Sequence, residues 1–173
     1  MCRGVTGGNR KKAARAGGAE ATADETTRAL AEAVRALARR GLTAPELIAR
    51  LSVRGFGRPA IEGAIARLRE VGSLDEALVA DAVLREASRR RRGSRHLAEV
   101  LARRGVPAEI AAPAVQASEE TDLERARELV ASRFPAGIAA EPKPRARALR
   151  FLVARGYPEE VARKALGIDL GGE

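Results

Sequence analysis

The chain has 173 residues and carries 32 Lys and Arg against 23 Asp and Glu, a formal net charge of +9. Aromatic residues make up 2 % with no Trp, so any core must be built from aliphatic side chains. A single cysteine, Cys2, excludes an internal disulfide, no apolar run has the length of a membrane span, and the N-terminus lacks the apolar core of a signal peptide; a cytoplasmic protein is the expectation.

Residues 1–27 are rich in Gly, Ala, Thr and basic residues and lack apolar periodicity, which predicts a disordered basic tail. The stretch Gly7-Gly8-Asn9-Arg10-Lys11-Lys12 lacks the spacing of a phosphate-binding loop and has no strand before it. Leu30, Val34 and Leu37 then share one face of a helix ending near Gly41. Thr43-Ala-Pro-Glu46 is a capping-box pattern that opens a second helix through Leu47, Ile48 and Leu51. That helix stops at Gly55, where a left-handed C-cap fits. Pro59 stands near the start of a third helix carrying Ile61, Ile65 and Leu68 toward Gly72.

The next helix opens at Leu74-Asp75-Glu76 and passes Leu78, Val79, Val83 and Leu84 into Arg89-Arg90-Arg91-Arg92, stopping at Gly93. Ser94 is placed to cap the helix of Leu97, Val100 and Leu101. Pro107 begins another, which Pro113 should shorten or kink. Leu123, Leu129 and Val130 lead to Phe134, followed by a break at Pro135 and Gly137 and a loop through Pro142 and Pro144. Leu149, Leu152 and Val153 mark one more helix, and the last begins at Pro158. Nothing alternates with the period of a strand.

The junctions Leu51-Ser-Val-Arg-Gly55-Phe56, Leu101-Ala-Arg-Arg-Gly105-Val106 and Leu152-Val-Ala-Arg-Gly156-Tyr157 repeat one pattern, with glycines 50 and 51 residues apart. Such a period predicts an elongated all-α tandem array of three three-helix repeats, about nine helices in all. The repeats are assigned to residues 28–72, 73–118 and 119–173.

Leu51-x-x-Arg54-Gly55-Phe56, the turn Gly72-Ser73-Leu74-Asp75-Glu76 and the Arg92-Gly93 opening resemble the RecX family. The segment from Arg147 through Arg150-Phe151-Leu152 to Arg155-Gly156-Tyr157 resembles that family's C-terminal signature, and the likeness covers roughly residues 28–168. The family usually has aromatic residues in the first helix of its middle repeat, where this chain has Leu78, Val79 and Val83. The resemblance implies a regulator that binds along the RecA–DNA filament and down-regulates strand exchange, ATP hydrolysis and co-protease activity.

Charge runs in bands. Residues 28–71 hold nine Arg and four Glu, residues 85–105 eight Arg and two Glu, and residues 133–166 eight Lys or Arg and three Glu. Between the last two bands, Glu109 through Glu128 carry six acids and two arginines. Basic bands favour polyanions or acidic protein faces. Arg89, Arg90, Arg91, Arg92, Arg95, Arg103 and Arg104 form the candidate main docking patch, and Arg145, Arg147 and Arg150 a second. The guanidinium fork pairs bidentately with carboxylate or phosphate. Four successive arginines span more than one helix turn, so they point in different directions; the competing reading is a solvated face.

Leu51, Phe56, Ile61, Ile65, Leu101, Phe151 and Leu152, at helical spacing, are assigned to the core. His96 is the single histidine and has no partner for metal binding or nucleophilic catalysis. No catalytic residue, metal or cofactor is expected, nor is enzymatic activity. A monomer with weak, salt-dependent DNA binding is anticipated. The alternative function is a sequence-tolerant, helix-turn-helix-like DNA-binding protein built on residues 46–72. Its would-be recognition helix offers Ala, Ile, Glu and Gly over residues 60–66, poor material for reading base edges. A plain helical scaffold for another partner is the third reading.

Overall fold

The computed structural model describes residues 8–134 and 142–168, with side chains from residue 22 onward, and every regular element among them is α-helical. The chain forms two compact units, Met1–Asp75 and Glu76–Glu173. The first holds α1 (Gly8–Leu37), α2 (Ala44–Val53) and α3 (Arg58–Glu70). The second holds α4 (Glu76–Arg89), α5 (Ser94–Arg103), α6 (Ala108–Arg133), α7 (Pro142–Ala154) and α8 (Glu159–Ala165).

The three junction sequences are one physical device used three times. After α2, the Phe56 amide donates to the Leu51 carbonyl at 3.2 Å and the Gly55 amide to Ser52 at 2.9 Å. Val106 and Gly105 make the same pair of bonds to Leu101 and Ala102, as do Tyr157 and Gly156 to Leu152 and Val153. This is the Schellman closure, in which a left-handed residue turns the chain back over the last helical turn. Gly55, Gly105 and Gly156 supply it with φ of 84°, 72° and 83°, a region where glycine escapes the Cβ clash. The apolar residue after each glycine lies near the leucine that opens the motif, so the turn and the core close together.

In unit 1, Leu47, Leu51, Ile61, Ile65 and Leu68 are buried against Ala33, Ala36 and Leu42. Fully burying one such leucine contributes about 1.5–3 kcal/mol. A second small cluster of Ala29, Ala60 and Ala64 seats α1 on α3. The closeness shows at Gly63, where an added Cβ would lie 2.9 Å from Thr26 Cγ2. The capping box is present: the Glu46 amide donates to Thr43 Oγ1 at 3.4 Å, and the Thr43 amide donates to Glu46 Oε2 at 3.0 Å. Val79, Leu97, Leu101 and Val106 centre the core of the second repeat, and Leu129, Leu152 and Tyr157 that of the third.

The structure corrects several sequence expectations. Helix α1 begins at Gly8, so much of the segment expected to be a disordered tail is helical; its Ala, Lys, Arg and Glu content favours helix without apolar periodicity. Residues 1–7, Cys2 among them, lie outside the described residues. The buried face of α1 runs through Ala29, Glu32, Ala33 and Ala36, leaving Val34 half exposed, because α3 packs closely enough to select small residues.

Eight helices are described, since α6 is continuous where two were anticipated. No helix breaker separates Ala114 from Arg133, so the third helix of repeat two becomes the first of repeat three. Pro113 lies within α6. The amide it lacks would have met the carbonyl of exposed Glu109, which water can serve. Pro142 and Pro144 belong to the first turn of α7, where no intrahelical donor is needed. Pro135 and Gly137 lie outside the described residues.

Ser94 is the first residue of α5, not its cap. Gly93 holds the cap position, and the Ser94 hydroxyl is buried without a partner. Gly93 likewise does not close α4: Arg91 takes the left-handed position with φ 51°, and the Arg92 amide donates to Ala87 at 2.8 Å.

Candidate partner-binding surface

All ten arginines singled out in the sequence belong to unit 2, where the turn after α4 is tied to the end of α7. The Gly93 amide donates to the Arg155 carbonyl at 3.1 Å, and the His96 amide donates to Gly156 at 3.3 Å. Arg155 Nη1 donates to the Arg90 carbonyl at 3.1 Å, and the Tyr157 hydroxyl donates to the Arg91 carbonyl at 3.3 Å. Tyr157 is fully buried, and burial is the main cause that raises its pKa. The arginine run and the C-terminal signature, 65 residues apart in sequence for Arg90 and Arg155, are therefore adjacent in space.

The four successive arginines do diverge. Arg89 and Arg90 both pair with Glu86, whose pKa is lowered chiefly by its hydrogen bond from Arg89. Arg91 Nη1 lies 3.4 Å from Ser132 Oγ, and Arg92 is partly buried near His96. Arg95 pairs with Glu99 one turn on, at 3.2 Å. Arg103 and Arg104 end α5, the latter as its C-cap. These pairs are exposed and surface ion pairs of this kind are weak, so the guanidiniums are readily exchanged onto a partner.

The second cluster is dispersed along α7. Arg145 Nη2 donates to the Gly167 carbonyl at 2.8 Å, fastening α7 to the turn after α8. Arg147 lines a cleft of about 200 Å³ with Arg133, Phe134 and Phe151, and the two phenyl rings meet edge to face at 5.9 Å. Arg150 is exposed beside a shallow hollow with Leu149, Val153 and Glu159.

Sequence reasoning missed two members of this surface. Arg155 lies with its guanidinium carbon 5.1 Å from the Phe151 ring centre, a cation–π contact; its recurrence before the junction glycine was the available signal. Arg133 offered none, because its approach to Arg147 depends on how α6 and α7 pack.

Beneath the surface is a buried polar support. Asp122, fully buried, accepts from the Ser94 amide at 2.9 Å and from Arg125 Nη2 at 2.6 Å. Arg125 also donates to Ser118 Oγ at 2.8 Å and to Ser88 Oγ at 3.1 Å. One guanidinium thus links α4 to α6, while its carboxylate partner holds the start of α5. Among the described residues no group of three or more His, Cys, Asp or Glu is placed to hold a metal ion, and no helix is long and apolar enough to cross a membrane.

Comparison with known proteins places this architecture in a family. Residues 120–166 match the family model described as RecX, third three-helix domain. A regulatory protein RecX of Thermus thermophilus is 39 % identical over 137 residues, covering 79 % of this chain and 89 % of that one. The regulatory protein RecX of Chromohalobacter salexigens is 34 % identical, covering 78 % and 88 %. The crystal structure of RecX from Lactobacillus salivarius superposes with a TM-score of 0.72 at 17 % identity, over 86 % of this chain and 99 % of that one, and shows the shared fold. The chain belongs to the RecX family of regulatory proteins.

Proposed function

We propose that this protein is a non-enzymatic, cytoplasmic regulator that binds the RecA–DNA filament as a monomer and lowers strand exchange, ATP hydrolysis and co-protease activity. The carrying observation is the tie between the Arg89–Arg92 turn and the end of α7, which puts two basic bands of the sequence on one unit. In this reading Arg89, Arg90, Arg91, Arg92, Arg95, Arg103 and Arg104 meet carboxylates or phosphates of the filament, and Arg145, Arg147 and Arg150 extend the contact. The repeats assigned to 28–72, 73–118 and 119–173 would lie along it as successive modules, with no cofactor.

The test compares binding to a naked single strand with binding to the same strand coated with ATP-bound recombinase. Preferred binding to the coated strand, with shortening of filaments in direct imaging, is the outcome anticipated. Preference for the naked strand would establish the DNA-binding alternative instead. Replacing Arg89 to Arg92 with Gln should weaken inhibition at moderate salt; unchanged inhibition would remove that patch from the contact.

A further inference from the structure

We propose that unit 1 carries a second docking site, centred on Phe56, for a protein segment that presents a large aliphatic side chain next to carboxylates. None of the ten arginines discussed above belongs to it, so it goes beyond the filament contact and stands or falls separately.

Two features on either side of Phe56 point to this ligand. On one side lies a cavity of about 400 Å³ between α2 and α3, walled by Ile48, Phe56 and Ile61. Ile48 is 44 % exposed, an apolar lip left facing solvent. On the other side is a depression of about 670 Å³ lined by Arg28, Arg35 and Arg54 around Glu32. Arg54 Nη1 reaches Glu32 at 2.8 Å, Arg35 at 3.4 Å and Arg50 at 3.5 Å. One nearly buried carboxylate thus serves three guanidiniums, and its two oxygens cannot satisfy all their donors. Arg50 keeps a buried Nε without an acceptor. Of the nearby acids, Glu25 accepts from the Gly57 amide at 2.8 Å, while Asp24 pairs at 3.4 Å with Arg28 on the wall of the depression. The depression therefore has cationic donors in excess of acceptors.

An aliphatic pocket and a donor-rich hollow sharing one phenyl wall match a segment with an aliphatic anchor and flanking acids. A nucleotide fits less well. The apolar part of its wall is two isoleucines and a single phenyl ring, less than a stacking platform for bases, beside the Arg58–Glu62 pair at 2.7 Å.

The test uses the full chain and a fluorescent peptide with one central Leu flanked by Asp and Glu, read by anisotropy at moderate salt. Replacing the central Leu with Ser should weaken binding about tenfold. Ile48→Ser and Arg35→Gln, both at solvent-facing positions, should each weaken the Leu peptide several-fold, with thermal unfolding confirming that both variants fold. Arg67→Gln, at an exposed pair with Glu70 near the end of α3, should leave peptide binding unchanged. Equal binding of the Leu and Ser peptides would overturn the proposal. So would unaltered binding by both folded variants, or displacement of the peptide by an oligothymidine of matched charge at equal concentration.

Discussion

Gly93 and Gly156 meet main chain to main chain. A Cβ on Gly93 would overlap the Gly156 carbonyl oxygen, and one on Gly156 would overlap the Cβ of His96 and lie 2.6 Å from its amide nitrogen. Both glycines are required by the approach of another backbone, and Gly156 by its left-handed turn as well, whereas Gly93 is extended with φ −81°. Gly55 holds the matching turn position in the first repeat, yet an added Cβ there meets nothing within 4 Å.

The pair yields a graded prediction. Gly55→Ala should cost about 1 kcal/mol, the left-handed backbone penalty alone. Gly156→Ala carries the same penalty plus a clash with main chain that cannot swing aside, and should cost about 2–4 kcal/mol. Urea unfolding of the two variants beside the parent measures the difference, and equal losses would contradict the close crossing.

Asp122 offers a second prediction, concerning charge rather than space. Asp122→Ala would take the carboxylate from the partly buried Arg125 and leave the Ser94 amide without its acceptor, and should cost about 2–3 kcal/mol. Asp122→Asn keeps the shape and one carbonyl acceptor, so its loss should be smaller. Partner binding through the proposed Arg89–Arg92 contact should fall with the fraction folded, because the aspartate holds the start of α5 just after that turn.

Arg91 separates stability from function. Its φ of 51° is costly for a residue with a Cβ, and its single side-chain hydrogen bond to Ser132 is long and exposed. Arg91→Gly should raise stability by about 0.5–1 kcal/mol while weakening filament binding through the lost cation. Thermal unfolding and filament binding, measured on the same preparation, should move in opposite directions.

His96 gives the pH dependence. Its pKa lies below the ordinary imidazole value because partial burial, then Arg92 and Arg103, disfavour the charged ring, against an opposing pull from Glu99. The folded state prefers the neutral ring. Its contribution to stability is therefore complete above pH about 6.5 and is lost as pH falls from there through the folded pKa. Between pH about 7 and about 5 the parent should lose more melting temperature than His96→Gln. Parallel curves for the two would remove His96 as the cause.

The helical architecture is legible because its punctuation is local. The Leu-x-x-Arg-Gly-apolar junctions and the Thr43 capping box act within six residues, and each appears where the spacing puts it. What escapes reading depends on packing between distant segments. In sequence Gly93 reads as a helix stop, although its main constraint comes from Gly156. Ser94 reads as a cap, whereas the carboxylate of Asp122, 28 residues away, takes its amide. The Arg35–Glu32 pair is an i,i+3 spacing within α1, but the convergence of Arg50 and Arg54 on the same carboxylate follows only from packing α2 against α1. The arginine run is visible from composition, but its left-handed member Arg91 is not, since glycine is the usual occupant of such a turn.

The unbroken α6 has a consequence for how this molecule could be dismantled. Two of its modules are grown on a common rod, so a cut between them severs a helix midway and strips an apolar stripe from both pieces. A fragment limited to the last module would begin inside that rod, its first amides cut off from the carbonyls of the preceding turn. Swapping modules between relatives should succeed only when the whole rod travels with them.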